Sequence, residues 1–294
     1  MAEDPHFERS LAHQTVAIVG LGLMGGSLAL ALRGRCAGLL GVDHNPAVVE
    51  QAAGMGLADR VGTSFADILP QAGLIILATP LSAILRLLED LPGLHPGPAV
   101  VLDLGSTKSA VVEKMAGLPP RFDPLGGHPM CGKERSSLDE AEAGLYHGAP
   151  FALTPLGRTS PAARRLAEEL VDAVGARPVW LEAEEHDAVV AATSHLPYLT
   201  AAALAGITPL QAGVLVGPGF RSTTRLAETP LSIMLDILRY NRPNLLSGLQ
   251  RLQRQMAYLS RLLEAEDYPA LAAELEQAAR RRVELTRALA EDER

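Results

Sequence analysis

Short, almost uninterrupted apolar segments alternate with longer segments of mixed polarity through the first half of the chain. Continuous apolar runs are typical of strands that are covered on both faces of a parallel sheet. The segments between them have the length and periodicity of crossover helices, which predicts a doubly wound α/β domain. The predicted strands are Thr15–Val19, Leu39–Val42, Leu74–Ala78, Val100–Leu104, Phe122–Gly126 and Phe151–Thr154, and two of the predicted helices are Pro46–Met55 and Ser82–Leu91.

The pattern changes after about Gly157, where one more helix and strand (Pro161–Val174 and Arg177–Leu181) precede mostly helical sequence. Apolar positions then recur at the spacing of amphipathic helices. Long helices with broad apolar faces in a small domain usually need a partner, so we expect a homodimer. The helical segments are Glu184–Leu204, Leu231–Leu263 and Ala270–Leu289.

The predicted architecture is therefore a Rossmann-type dinucleotide-binding domain over residues 14–182, followed by an all-helical domain over residues 183–294 that binds substrate and dimerises. A length of 294 residues suits two domains of ordinary size. The chain ends soon after the last predicted helix, so we expect no appended regulatory domain.

Composition narrows the possible surroundings and partners. A net charge of -8 argues weakly against nucleic acid, because an acidic surface repels a phosphate backbone. The two cysteines, Cys36 and Cys131, are far apart and form no C-x-x-C pair, which predicts a reducing compartment without structural zinc. The start of the chain has no signal-peptide core, and glycines interrupt the longest apolar run, Val16–Leu32. We expect a cytoplasmic protein without a bound metal or a membrane span.

A G-x-G-x-x-G motif follows the first predicted strand and opens a helix. Gly20 would permit a tight turn, Gly22 would let the backbone approach a pyrophosphate, and Gly25 would allow close packing of helix on strand. The second predicted strand ends at Asp43, where a carboxylate would bind ribose hydroxyls and repel a 2′-phosphate. NAD is therefore the predicted cofactor. The structural alternative is that the glycines form only a turn and that Asp43 caps the helix at Asn45–Pro46.

The segment Asp103–Ser109 follows another predicted strand and opens a helix. By itself it predicts a helix N-cap at Ser106 or Thr107. It also lies at the carboxyl end of a parallel strand, where ligands bind in such folds, so both interpretations can hold together.

Four segments carry a family resemblance. Gly126–Ser136 resembles the G-G-H-P-M-x-G-x-E-x-S signature of prephenate and arogenate dehydrogenases. Thr193–Tyr198 is similar to that family's S-H-L-P segment, and Gly217–Arg225 is similar to its G-x-G-F-R-D-x-T-R segment. Asp103–Lys108 matches as well, and the four follow the family's order. One departure is Ser222, where many members carry Asp.

The resemblance implies an NAD-dependent oxidative decarboxylation that converts a cyclohexadienol to a phenol in tyrosine biosynthesis. It implies that His128 is the base that takes the hydroxyl proton and that Ser106 aligns this hydroxyl with the nicotinamide. Arg225 would bind a substrate carboxylate, His195 would lie beside the substrate's side chain or ring carboxylate, and Glu134 would help to orient the substrate.

Structural explanations exist for each of these residues singly, because His128 could close a turn, His195 could end a helix and Arg225 could be a surface arginine. Two other functions also remain open. A β-hydroxyacid dehydrogenase would need a helical lysine, and no lysine follows Lys133. An NAD-sensing regulator would not need His128, Ser106 and Arg225 together. The remaining histidines match no motif and are expected at the surface: His6, His13, His44, His95, His147 and His186.

Overall fold

The computed structural model describes residues 10–133 and 137–291 of the chain. Two compact units can be distinguished: the first ends at Arg242 and the second begins at Pro243. The first contains the whole sheet and the helices as far as Tyr240, whereas the second consists of two long helices.

The first unit is built on an eight-stranded sheet with the order β3-β2-β1-β4-β5-β6-β7-β8. The strands β1 to β6 run parallel in the order of a dinucleotide-binding fold, so their carboxyl ends share one edge. One pair departs from the parallel arrangement, because β7 pairs antiparallel with β6. The strands are β1 Thr15–Val19, β2 Gly38–Val42, β3 Arg60–Gly62, β4 Leu74–Leu77, β5 Ala99–Asp103, β6 Phe122–Pro129, β7 Pro150–Pro155 and β8 Arg177–Trp180.

Both faces of this sheet are covered, which explains the continuous apolar runs. Ile18 and Ile76 pack into one hydrophobic cluster, whereas the adjacent residues Val19 and Leu77 pack into a second cluster. Consecutive strand residues point to opposite faces, so every position must be apolar when helices cover both. The short β3 was not predicted, because its residues are exposed or half-buried and it lacks an apolar run.

Helices of the first unit cross between the strands, and their bounds agree with the predicted crossovers to within a few residues. Pro46 and Pro161 occupy the first turns of two of them, where a missing N–H costs nothing. The helices are α1 Leu23–Leu32, α2 Pro46–Gly54, α3 Phe65–Ile68, α4 Leu81–Leu94, α5 Ser109–Ala116 and α6 Pro161–Ala173.

The helical part differs from the prediction at two places. The predicted helix Glu184–Leu204 consists of α7 (Ala183–Val190) and α8 (Leu196–Ile207), joined by a π-helical turn over Ala191–His195. The predicted helix Leu231–Leu263 breaks at Asn241. Its two parts are α10 Leu231–Tyr240 and α11 Arg242–Glu264; the remaining helices are α9 Pro218–Thr224 and α12 Tyr268–Glu291.

Candidate active site

A glycine-rich loop connects β1 to α1 at the carboxyl edge of the sheet. Gly20 has a φ of +92°, a left-handed conformation that disfavours other residues. A Cβ on Gly25 would lie 1.8 Å from the carbonyl oxygen of Gly20, so only glycine permits this packing. Gly22 is the N-cap of α1 and has no side chain to occupy the helix's first N–H groups. The loop therefore offers backbone donors to an anion.

Asp43 lies at the end of β2 and is nearly buried. Its Oδ2 accepts a hydrogen bond from the backbone N–H of Leu21 at 2.8 Å, and its Oδ1 accepts one from Asn45 at 2.9 Å. The cap of α2 is Asn45, whose side chain accepts from the N–H of Ala47. The structural alternative for Asp43 is therefore wrong in its detail: the carboxylate braces the glycine-rich loop, and it does not cap α2.

Next to the glycine-rich loop, the β4–α4 turn contributes a hydroxyl group. The Oγ1 of Thr79 is buried and has no hydrogen-bond partner among the described residues. A Cβ on Gly20 would lie 2.7 Å from Cγ2 of Thr79, so the two residues are in contact across β1 and β4. An unsatisfied buried hydroxyl beside a glycine loop at a helix N-terminus fits a nucleotide with hydroxyl and phosphate groups.

Three side chains form a hydrogen-bonded chain that starts near the carboxyl end of β6. Nδ1 of His128 lies 2.9 Å from Nε2 of His186, and Nδ1 of His186 lies 2.9 Å from Oδ1 of Asp187. An ionised Asp187 can only accept, so His186 carries its proton on Nδ1 and accepts through Nε2. His128 therefore donates from Nδ1, which leaves Nε2 of His128 as a lone-pair base.

Asp187 also caps helix α5. Its Oδ1 accepts from the backbone N–H of Lys108 at 2.7 Å, and its Oδ2 accepts from that of Ser109 at 2.9 Å. The predicted N-cap at Ser106 or Thr107 is wrong, because this carboxylate from α7 satisfies the helix N-terminus. Ser106 is half-buried in the loop that leads from β5 to α5. The cap thus joins the Ser106 loop to the histidine-bearing helix.

Beneath this site lies a fully buried ion pair. Nζ of Lys108 contacts Oδ2 of Asp103 and donates to the carbonyl of Gly127 at 2.6 Å. Asp103 also accepts from the backbone N–H groups of Gly105 and Gly127. The pair therefore connects the loop carrying Ser106 to the strand residue that precedes His128.

Burial and neighbouring charges determine the protonation of this site. Burial lowers the pKa of His128 well below its ordinary value, and His186, Lys108 and His195 lower it further. Burial alone would raise the pKa of Asp187, but hydrogen bonds from His186, Ser109 and the backbone of Lys108 lower it on balance. His128 is thus neutral and Asp187 is ionised near neutral pH.

His195 lies at the end of the π-helical turn and is 2% exposed. Nδ2 of Asn241 lies 3.1 Å from Nδ1 of His195 and donates to the backbone carbonyl of Asp187 at 2.8 Å. We call His128, His186, Asp187, His195 and Asn241 the histidine cluster. Burial lowers the pKa of His195 to about 4; Asp187 opposes this shift and His186 adds to it.

The predicted substrate ligand Arg225 belongs to a segment that follows α9. Arg225 is exposed and begins the short helical turn Arg225–Glu228, which packs against α8, the helix that starts directly after His195. The hydroxyl of Ser222 donates to the carbonyl of Gly219 at 3.0 Å. Glu134 lies outside the described residues.

The expectation that the remaining histidines are at the surface is wrong for two of them. His95 and His186 are 3% and 1% exposed, whereas His13, His44 and His147 are exposed; His6 lies outside the described residues. His186 and Asp187 are buried in α7, and no clear sequence signal indicated this, because Glu184 and Glu185 make the first half of the helix polar. Among the described residues, no group of three or more His, Cys, Asp or Glu side chains could hold a metal ion.

Comparison with known proteins identifies the family. The model of the prephenate dehydrogenase nucleotide-binding domain matches residues 28–180, and that of the prephenate dehydrogenase dimerization domain matches residues 182–277. The chain belongs to the prephenate dehydrogenase family. Prephenate dehydrogenase of Bacillus subtilis is 33% identical over 266 residues, which are 86% of this chain and 71% of that protein. Cyclohexadienyl dehydrogenase of Zymomonas mobilis is 28% identical, with 86% and 89% covered.

Solved structures of family members superpose over nearly the whole chain. Prephenate dehydrogenase from A. aeolicus, in complex with hydroxyphenyl propionate and NAD+, has a TM-score of 0.86 at 29% identity, covering 94% of this chain and 99% of that one. Synechocystis arogenate dehydrogenase has a TM-score of 0.81 at 32% identity, covering 92% and 99%. A 3-hydroxyisobutyrate dehydrogenase from Salmonella typhimurium, with a TM-score of 0.55 at 17% identity, shares the fold alone.

Proposed function

We propose that the protein catalyses the NAD-dependent oxidative decarboxylation of prephenate to 4-hydroxyphenylpyruvate, or of arogenate to tyrosine, in tyrosine biosynthesis. The observation that carries this proposal is the chain from His128 through His186 to Asp187, at the sheet edge that also holds the glycine-rich loop. Membership of the prephenate dehydrogenase family supports it.

His128 accepts the proton of the substrate hydroxyl through Nε2. Its depressed pKa keeps this nitrogen unprotonated before the reaction, and Asp187 stabilises the positive charge through His186 once the proton arrives. When bound, NAD supplies the hydride acceptor for the carbon that bears the hydroxyl. Loss of carbon dioxide from the opposite ring carbon leaves its bonding electrons in the aromatic ring. His128 then returns its proton to the phenolic oxygen, so the reaction releases no net proton.

NAD is held by the glycine-rich loop and by Asp43. Gly20, Gly22 and Gly25 bring backbone donors of α1 to the pyrophosphate, and the carboxylate at the end of β2 favours ribose hydroxyls over a 2′-phosphate. We assign this cofactor domain to residues 14–182 and the helical substrate domain to residues 183–294. The match to the nucleotide-binding domain ends at residue 180 and the match to the dimerization domain begins at residue 182, which supports this division.

The substrate's hydroxyl and carboxylates meet residues from several segments. Ser106 aligns the hydroxyl, Arg225 binds a carboxylate by its bidentate fork, and His195 contacts the ring carboxylate or the side chain. Glu134 helps to orient the substrate. The position of Ser106 and His128 on loops and strands that share a buried ion pair supports the first of these roles.

The enzyme functions as a cytoplasmic homodimer without nucleic acid or membrane partners. Exposed apolar side chains on α11 and α12, among them Met256, Leu263 and Leu275, support a dimer interface in the helical domain. The continuous helical run Ala183–Ile207 has the length and composition to cross a membrane. That evidence is weak, because this run carries the buried polar residues of the histidine cluster.

The proposed function is tested with purified protein, NAD and prephenate. We expect NADH absorbance to rise together with 4-hydroxyphenylpyruvate, and turnover with NADP to be much weaker. Parallel reactions with arogenate and with simple β-hydroxyacids separate the alternatives. NADH formation from β-hydroxyacids alone would contradict the proposal, and NAD binding without turnover of any substrate would favour a regulator.

A further inference from the structure

The break between α10 and α11 places one buried amide against the histidine cluster. Asn241 is 1% exposed, and its backbone N–H closes α10 by donating to the carbonyl of Ile237 at 2.9 Å. Its φ of -107° and ψ of 20° leave the helical region, and α11 starts at the next residue. In a continuous helix the direction of the Asn241 side chain would follow from the helical periodicity alone.

Two contacts fix the orientation of the Asn241 amide. Nδ2 lies 2.8 Å from the backbone carbonyl oxygen of Asp187, and a carbonyl oxygen can only accept, so the atom facing it must be the amide nitrogen. The same nitrogen lies 3.1 Å from Nδ1 of His195. Because the NH₂ group has two hydrogens and no acceptor capacity, Nδ1 of His195 must be the acceptor.

The tautomer of His195 follows from this assignment. A neutral imidazole carries one proton, and with Nδ1 accepting, the proton must be on Nε2. An imidazolium would instead direct an N–H on Nδ1 at the hydrogens of the Asn241 amide. Asn241 therefore opposes protonation as well as one of the two neutral tautomers.

We propose that Asn241 is a positioning residue that holds His195 as a neutral hydrogen-bond donor through Nε2, for an acceptor oxygen of the substrate. This proposal rests on the proposed function for the identity of that oxygen, a carboxylate or keto oxygen of prephenate. Arginine then provides the positive charge that binds the carboxylates. His195 provides an oriented hydrogen bond, and its charge does not change near neutral pH.

The charged groups around His195 are consistent with this assignment. Among the described residues, the titratable groups that interact with His195 are Asp187 and His186 of α7 and His128 of β6. Burial is the largest influence and lowers the pKa of His195 to about 4, despite the opposing effect of Asp187. His195 thus stays neutral until the pH falls towards 4.

The test is NMR of protein labelled with ¹⁵N in histidine, assigned with a His195→Gln variant. In the wild type at pH 7, His195 should give the neutral Nε2–H pattern. In Asn241→Asp, the new carboxylate should accept from Nδ1, so His195 should change to the Nδ1–H or the imidazolium pattern and titrate at a higher pH. His95 is the internal reference, because Nδ1 accepts from Gly97 and Nε2 faces the carbonyl of Ala72 in both proteins.

Kinetics provide the second measurement. Asn241→Asp should raise KM for prephenate on the order of tenfold, with a smaller change in kcat and an unchanged Kd for NAD. A wild-type His195 protonated on Nδ1 would overturn the proposal, and this measurement does not depend on whether the variant folds. An unchanged tautomer in folded Asn241→Asp, or a changed tautomer with an unchanged KM, would also overturn it. Lack of prephenate turnover by the wild type would contradict the proposed function and leave the tautomer result intact.

Discussion

The glycine-rich loop and the histidine cluster both lie at the carboxyl edge of the sheet: the loop follows β1, and His128 of the cluster lies near the end of β6. The loop is one continuous segment, and its geometry comes from backbone conformation and from close packing between Gly20 and Gly25. The cluster is assembled from β6, α7, the π-helical turn and the α10–α11 break. The loop therefore depends on the absence of side chains, whereas the cluster depends on distant side chains that fix one another's protons.

Removal of the proposed base should have the largest effect. His128→Asn should lower kcat on the order of 10²–10⁴-fold while NAD binding is kept, because the reaction then lacks its proposed proton acceptor. The measurement is steady-state NADH formation from prephenate, with the exposed His147→Asn as the matched control. Turnover near that of the wild type would remove His128 from the chemistry.

Disruption of the buried ion pair between Lys108 and Asp103 should have the next largest effect, on stability. Lys108→Met should lower the free energy of unfolding by about 3–5 kcal/mol, because it leaves Asp103 buried without a counter-charge. Lys114→Met is the matched control: its ion pair with Glu89 is solvent-accessible and should contribute less than about 1 kcal/mol. Urea denaturation monitored by circular dichroism compares the two variants. Equal losses of unfolding free energy in the two variants would mean that the buried pair contributes no more to stability than the exposed pair.

Removal of the proposed carboxylate ligand Arg225 should have a smaller effect, on substrate binding. Arg225→Ala should raise KM for prephenate by an amount equivalent to about 1.5–3 kcal/mol, the value of a lost charged hydrogen bond. Ser222→Asp should raise KM less, because a carboxylate three residues earlier would compete for the guanidinium. The exposed Arg221→Ala is the control. If Arg225→Ala and Arg221→Ala have the same KM, Arg225 is not a substrate ligand.

A methyl group added to the glycine-rich loop tests whether the loop depends on the absence of side chains. Gly25→Ala should cost about 1–3 kcal/mol in stability and weaken NAD, because the added Cβ would lie against the Gly20 carbonyl. Gly54→Ala is the control, since a Cβ there meets no atom within 4 Å and alanine favours helix by about 1 kcal/mol. Calorimetry with NAD measures both proteins. Unaltered NAD affinity in Gly25→Ala would contradict the role of close packing in the loop.

The two regions also differ in how far they could be predicted. The doubly wound fold and the glycine-rich loop followed from apolar runs and residue spacing, because strand periodicity and glycine conformations are local properties of the chain. His128 was found through its family motif, and the resemblance to prephenate dehydrogenases is confirmed by the family match. The roles of all five residues remain predictions: His128, Ser106, His195, Arg225 and Glu134.

The partners of His128 were decided by tertiary structure. His186 and His195 are nine residues apart, about two and a half turns of a regular α-helix, so the periodicity places them on opposite faces. The π-helical turn at Ala191–His195 changes this phase, and the break at Asn241 brings an amide between Asp187 and His195. Both features have a local signal that the prediction missed, because Pro197 and Pro243 follow within two residues and cannot donate the backbone N–H of a continuous helix. Contacts between segments distant in sequence then decide which side chains meet. The glycine-rich loop and the position of the proposed base could be located from the amino-acid sequence. Which nitrogen of each histidine in the cluster carries the proton depends on the packing of distant segments.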